Sequence, residues 1–366
     1  MTTGGEDSSP WLGLLRWSLQ YTDGTKPSNE TMSPMTTEDR AFLEAVMKDG
    51  VIDPAKRMKE ILAHLNIWLR NFLGDGNDEN KFNEDEMVDL LEELHEIVEN
   101  IDFARDCVKM NGVPFLLGCS SERKVPRPVR LQCLNISSTL SQNNPPVQEA
   151  MLREHDALNI LTNLYLTEMA DDPGGSMRKC IVQALSCMVR SHRIGEESFC
   201  SSDSCRYVIE EGIGCHTPND VHAQNSSPGL QKKCVFVLKA LLHSDFSSSE
   251  RINKFTLAIK RAIDFIDPEN ISEADIDLKE TTLDLLLGLV KQHKNVDAIV
   301  EEKKRIIQSG ICRVQALQAI TDPDEKEFIH EELNLWENIM IELAKFDVTD
   351  HESIESNTAK LMISSS

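Results

Sequence analysis

The chain has 366 residues, long enough for a large core or an extended repeat array. Its 38 Lys and Arg stand against 61 Asp and Glu, a formal net charge of -23. That balance repels phosphate backbones and anionic headgroups, so nucleic acid and membrane surfaces are not expected partners; it suits solubility or a basic partner surface. No apolar run approaches the ~20 residues of a membrane span, and the polar, acidic MTTGGEDSSPW has no apolar signal core. Ten cysteines are spread through the chain, several of them (Cys133, Cys180, Cys234) on apolar helical faces. This pattern fits free buried thiols in a reducing compartment, the cytosol with the nucleus as a second location.

Residues 1–36, rich in Ser, Thr, Gly, Pro and Met, read as a flexible segment. Within it Trp11, Leu14, Leu15, Trp17 and Leu19 are too apolar for a linker, and form either a docked short helix or a recognition motif. Asp23-Gly24-Thr25-Lys26-Pro27 then turns the chain. Residues 37–110 read as an N-terminal helical region. Thr37-Glu38-Asp39 opens a short helix with Phe42, Leu43 and Val46. Asp53-Pro54 opens a longer one carrying Met58, Ile61, Leu62, Leu65, Leu69 and Phe72, stopped by Gly74. A third starts at Glu84, with Met87, Leu90, Leu91, Leu94, Ile97, Val98 and Ile101 on one face, and Asn111-Gly112 ends the next. No stretch alternates convincingly, so no sheet is expected.

Over residues 111–300 a faint repeat emerges. Helices aligned at Val129, Met177, Leu230 and Leu278 share an apolar stripe four, seven and eleven residues on. The stripe reads Cys133, Ile136, Leu140; Ile181, Ala184, Met188; Cys234, Val237, Leu241; Thr282, Leu285, Leu289. Multi-helix units near this length indicate armadillo or HEAT stacking, with the extra length taken up by polar loops at 171–176 and 212–229. The expected fold class is all-α: an armadillo-like right-handed superhelical solenoid of about four repeats with flanking capping helices. The face opposite the stripe carries Asn135, Gln183, Phe236 and Asp284 six residues on, and Gln142, Arg190, His243 and Lys291 thirteen on. Ten residues on, it carries the small Thr139, Cys187, Ala240 and Gly288, which serve either a partner's close approach or helix packing. Residues 301–347 read as a C-terminal helical cap, including an amphipathic helix over 325–346 with Phe328, Leu335, Trp336, Ile339, Met340 and Leu343 inward. Residues 348–366 read as a disordered polar tail.

Asp75, Asn77, Glu79, Lys81, Asn83 and Glu86 fall on calcium-loop positions, but Asn80 replaces the required glycine, and a solvated acidic loop is the plainer reading. Cys200, Cys205, Cys215, His216 and His222 fit no compact zinc spacing. No metal or other cofactor is expected. Phosphate-binding glycine loops and nucleophile elbows are lacking, and no His pairs convincingly with a nucleophile, so no enzymatic activity and no catalytic residue is expected.

Leu14-Leu15-Arg16-Trp17-Ser18-Leu19 with Asp23-Gly24-Thr25 resembles the start of the Fes-type and heat-shock-protein-70-binding-protein family. So do Lys56-Arg57-Met58-Lys59-Glu60-Ile61, Leu91-Glu92-Glu93-Leu94, Val98-Glu99-Asn100-Ile101-Asp102-Phe103-Ala104, Ser141-Gln142-Asn143-Asn144-Pro145 and Leu230-Gln231-Lys232-Lys233. The resemblance spans roughly residues 12–300. It implies a cytosolic nucleotide exchange factor, a co-chaperone that clasps lobe II of the chaperone's ATPase domain with a concave surface, so that ADP and then client leave. It also implies that the N-terminal segment engages the substrate-binding domain, there mimicking client. The chain departs from the family after Tyr207-Val208-Ile209, where a polar 212–229 replaces an apolar helix and a shortened third repeat is expected. The expected partner-binding residues are Asn135, Thr139, Gln142, Asn143, Gln183, Arg190, Lys232, Lys233 and Phe236, in a monomer. The alternative is an armadillo-type scaffold holding an extended peptide in its groove, against which the row Asn135, Gln183, Phe236, Asp284 makes a poor ladder; a metal-regulated sensor is a third option.

Overall fold

The computed structural model describes residues 37, 40–41, 53–74, 83–172, 175–215, 227–267, 276–292, 296–320 and 329–345. The segment Trp11–Leu19, the helix with Phe42, Leu43 and Val46, most of the acidic loop, His216, His222, Phe328 and the tail therefore lie outside the described residues. Two compact units divide the chain between His64 and Leu65. From the first comes the beginning of α1 (Pro54–Leu73), whose Met58, Ile61 and Leu62 are buried. The Asp53 side chain accepts from the Ala55 and Lys56 N–H groups, and Pro54 supplies the fixed φ that suits a first helical position. In the second unit, Leu65 and Trp68 of the same helix are buried, and Trp68 stacks on Phe72 at 5.3 Å.

Every described element is helical. After α1 come α2 (Glu84–Val98), α3 (Ile101–Lys109), α4 (Gly112–Ser121), α5 (Arg127–Ser141), α6 (Pro145–Arg153), α7 (Ala157–Glu168) and α8 (Ser176–Val189). Then follow α9 (Arg193–Ser201), α10 (Asp203–Ile213), α11 (Pro228–Leu242), α12 (Ser249–Lys254), α13 (Thr256–Ile263), α14 (Ile276–Gln292), α15 (Asp297–Gln318) and α16 over 329–345. The sequence sets these boundaries locally. Asn83, Asn100, Ser202 and Ser248 accept from backbone N–H groups of the first turns of α2, α3, α10 and α12. Prolines sit in the first turns of α5, α6 and α11.

The packing is neighbour to neighbour. α2, α5, α8, α11 and α14 form one row, each against the next; α4, α7, α10, α13 and α15 form a second; α3, α6 and α9 flank them. All sixteen positions of the apolar stripe aligned from Val129, Met177, Leu230 and Leu278 are buried, because the stripe faces the second row. Helix α5, wedged between α2 and α8, reaches this density with small side chains. Ser137, Ser138 and Ser141 donate to the carbonyls of Cys133, Leu134 and Ser137, which satisfies their hydroxyls inside the helix.

Three expectations are corrected. Ile101 does not continue the α2 face: Asn100, in extended conformation, breaks the helix and caps α3, leaving Ile101 exposed. The polar loop does not begin at residue 212. Helix α10 runs through buried Gly212 and Ile213 to Gly214 (φ 90°), and a Cβ on Gly212 would lie 2.3 Å from Cys234 Sγ, so glycine there permits the approach of α11. Among the described residues no helix is missing before α11: α9 and α10 precede it as α6 and α7 precede α8. At the far end, Trp336 of α16 is buried against α15, where a Cβ on Gly310 would lie 2.9 Å from its ring.

Candidate functional site

The predicted partner-binding residues lie along one side of the first row and join its helices through polar contacts. On α2, His95 Nε2 lies 2.7 Å from Thr139 Oγ1 of α5, and its Nδ1 lies 3.3 Å from Gln132 Nε2, whose side-chain oxygen accepts from Asn135. Further along, Lys233 of α11 donates to Gln183 Oε1 of α8 at 2.7 Å. The Arg190 guanidinium, just past α8, lies 5.1 Å from the centre of the Phe236 ring, and the Lys239 ammonium approaches the same ring at 5.9 Å. Lys232 and Lys239 pair with Asp277 and Asp284 of α14, each 45 residues on. Phe236 is 38% exposed, one of three exposed aromatic side chains among the described residues with Tyr207 and Phe246. The small row is used mainly for packing: Cys187 is buried, and the His243 ring occupies the space over Gly288 while its Nε2 donates to Leu285 O at 3.0 Å.

Gln142 and Asn143 lie at the start of this ladder, with Thr139. They help line an open cleft of about 410 Å³ closed by Val98, Glu99, Ile101, Ala104 and Asn144. Asn143 adopts a left-handed φ of 52° as the chain leaves α5, and Ser191 does the same after α8 (φ 58°). Charge varies along the row. Glu92 and Glu99, on the His95 side of α2, are exposed and acidic; α5 presents neutral amides; α8 and α11 present Arg190, Lys233 and Lys239.

What the sequence reading missed is the buried polar framework beneath this surface. Arg130 donates to Ser120 O of α4 and to Glu168 of α7. Arg178 repeats the arrangement with Glu211 of α10 at 3.0 Å, and Tyr165 donates to the same carboxylate. Asp172 accepts from Arg127 and from the Arg178 N–H. Burial alone would raise the Asp172 pKa, but the Arg178 N–H and the Arg127 side chain outweigh it and hold it below the usual carboxylate value. The signal was available: Arg follows the first aligned residue in two of the four helices, Val129-Arg130 and Met177-Arg178. A second series ties the flanking helices to the ends of the first row. Arg105 of α3 donates to Asn144, Gln148 of α6 donates to the Cys187 and Arg190 carbonyls, and Glu196 of α9 accepts from Ser244.

The cysteines are free; burial pushes Cys107 and Cys215 up to about 12 and Cys200 to about 11, so these thiols stay protonated. Among the described residues no group of three or more His, Cys, Asp and Glu could hold a metal ion. Cys205 contacts Thr162 and Cys215 donates to Leu257 O, while Asn83 serves as a helix cap. No helix of the described residues is long and apolar enough to cross a membrane.

The class so defined is an all-helical protein of stacked neighbours, with a polar, partly aromatic face presented by successive helices of one row. Residues 12–107 match the family model described as nucleotide exchange factor Fes1, in line over that stretch with the resemblance read from the sequence. The match takes in α1, α2 and most of α3, and with them His95; the ladder from α5 to α14 lies beyond it. No curated protein matches the chain.

Proposed function

We propose that the chain is a co-chaperone of 70-kilodalton heat-shock proteins that promotes ADP release, and with it client release, by binding lobe II of the ATPase domain. The single observation that carries this reading is the Fes1 match over residues 12–107; the contiguous face of α5, α8 and α11 supplies a surface of the right kind. We take the rows to wind as an armadillo-like solenoid of about four units whose concave side is this face. Exchange needs no catalytic group on the factor, and the protein acts as a cytosolic monomer without a cofactor. It needs a rigid surface with higher affinity for the open ATPase domain than for the closed one, because only differential affinity shifts an equilibrium. The buried arginine–carboxylate pairs joining the rows supply that rigidity. The segment Trp11–Leu19 then engages the substrate-binding domain.

The discriminating experiment compares binding of the full chain to the isolated ATPase domain without nucleotide and with ATP. Tight binding to the nucleotide-free form and weak binding with ATP are expected; equal affinities would contradict the proposal. A second reading is favoured by the cleft beside Thr139, Gln142 and Asn143. Its amides offer both donor and acceptor to a peptide backbone, as a groove scaffold requires. Retention of extended peptides but not of the ATPase domain would select that reading.

A further inference from the structure

Carboxylates outnumber cations in this chain, and pairing of arginine is accordingly the rule. Of the arginines described between residues 83 and 345, every one except Arg190 is paired with an Asp or Glu. Among the described residues Arg190 has no carboxylate partner. Its guanidinium instead covers the half-exposed Phe236 ring at 5.1 Å. A guanidinium set over an aromatic ring still has N–H groups to offer to other acceptors.

The backbone under this side chain is held firmly. Gln148, only 1% exposed, spends both donor contacts there: 2.8 Å to Cys187 O and 3.0 Å to Arg190 O. The Arg190 N–H donates to Ser186 O at 3.0 Å, and the Ser191 N–H donates to Glu196 Oε1 at 3.2 Å. A long, entropically costly side chain is thereby fixed at its root and rests against the Phe236 ring before any partner arrives. The surrounding charge is arranged on the same side. Lys232 and Lys239 are neutralised by Asp277 and Asp284 of α14, whereas Lys233 contacts only the neutral Gln183. Arg190 and Lys233, two cations without a carboxylate partner among the described residues, therefore lie together where α8 meets α11.

We infer that Arg190, stacked on Phe236, is a preorganised receptor for a carboxylate side chain on the partner protein, and anchors docking of this face. This rests on the exchange-factor reading, which makes the partner the ATPase domain. A guanidinium edge matches a carboxylate with two parallel N–H···O bonds. The aromatic ring beside it supplies the apolar contact that excludes water from the pair, as at the centre of protein interfaces. A phosphate-rich polymer is disfavoured by the aspartates of α14 and the chain's overall charge.

The test measures affinity of the full chain for the nucleotide-free ATPase domain by calorimetry, at low and at high salt. Arg190→Gln is expected to bind at least about tenfold more weakly at low salt, as loss of an interface anchor does. Arg190→Lys keeps the charge but loses the fork and the stack, and is expected to recover only part of the loss. The dependence of affinity on salt becomes shallower in Arg190→Gln, an effect that loss of a merely structural contact would not produce. Melting temperatures of both variants stay at the wild-type value. Wild-type affinity in Arg190→Gln, or full recovery in Arg190→Lys, overturns the inference while the exchange-factor reading stands. Failure of the wild-type chain to bind overturns both.

Discussion

Single side chains divide into those that hold the stack and those that it displays. Arg178 belongs to the first kind: it is fully buried, with Glu211 and Asp172 as its carboxylates. Removing one partner leaves the other charge buried and unpaired, so Arg178→Met is expected to cost about 3–5 kcal/mol. Arg178→Met combined with Glu211→Leu removes both charges and is expected to cost less than the single change. Urea unfolding of the three proteins checks the order. Asp172 makes a second prediction. Its folded pKa lies below the unfolded value near 3.8, so its stabilisation is present above that value and is lost as pH falls through the lower folded pKa. Asp172→Asn should therefore be less stable at neutral pH and have a flatter acid limb in stability against pH. A parallel downward shift of the whole curve would contradict this. Neither Arg178–Glu211 nor Arg127–Asp172 was legible as a pair in the sequence, because the partners lie 33 and 45 residues apart and charged residues there read as solvated faces. The apolar stripe was legible because its spacing is fixed by the helix itself.

Elements are spaced by what stands between them. Helices α10 and α11 approach so closely that Gly212 has no room for a methyl group against Cys234. Gly212→Ala is expected to cost about 1–3 kcal/mol through overpacking, and adding Cys234→Ala should restore part of it; thermal melts of the two variants decide. The same packing governs thiol chemistry. Cys312 on α15 is exposed, whereas the other nine cysteines are buried or half-buried. A thiol reagent should modify one residue quickly in the native protein, and Cys312→Ser should abolish that fast phase. Rapid reaction of several thiols would contradict the packing described. At this scale the sequence placed the helices of the first row well and their ends less well. Asn100 looked like one more polar residue in a continuous face, yet its side chain could cap α3 and did. Gly212 looked like the start of a loop, because glycine as a packing spacer and glycine as a helix terminator are indistinguishable without the neighbouring helix.

For the whole molecule, the five-helix row is both framework and proposed docking surface. The apolar side of α5, α8, α11 and α14 is buried in the stack, and the other side carries the ladder from Thr139 to Asp284. The residues named from the sequence as partner-binding fall on that side because heptad-like spacing places them opposite the stripe. Their linkage across helices, Lys233 to Gln183 and Arg190 to Phe236, needed the fold to bring together residues about fifty positions apart. The proposed partner is suggested by neither periodicity nor packing, but by the segment that matches the Fes1 model. The central claim is that this face accelerates nucleotide exchange, and stopped-flow release of fluorescent ADP from a purified 70-kilodalton heat-shock chaperone tests it most directly. The wild-type chain is expected to accelerate release by at least about tenfold, and Arg190→Glu with Lys233→Glu to abolish most of the acceleration while the protein stays folded. Release at the spontaneous rate with the wild-type chain, or undiminished acceleration by the double variant, would contradict it.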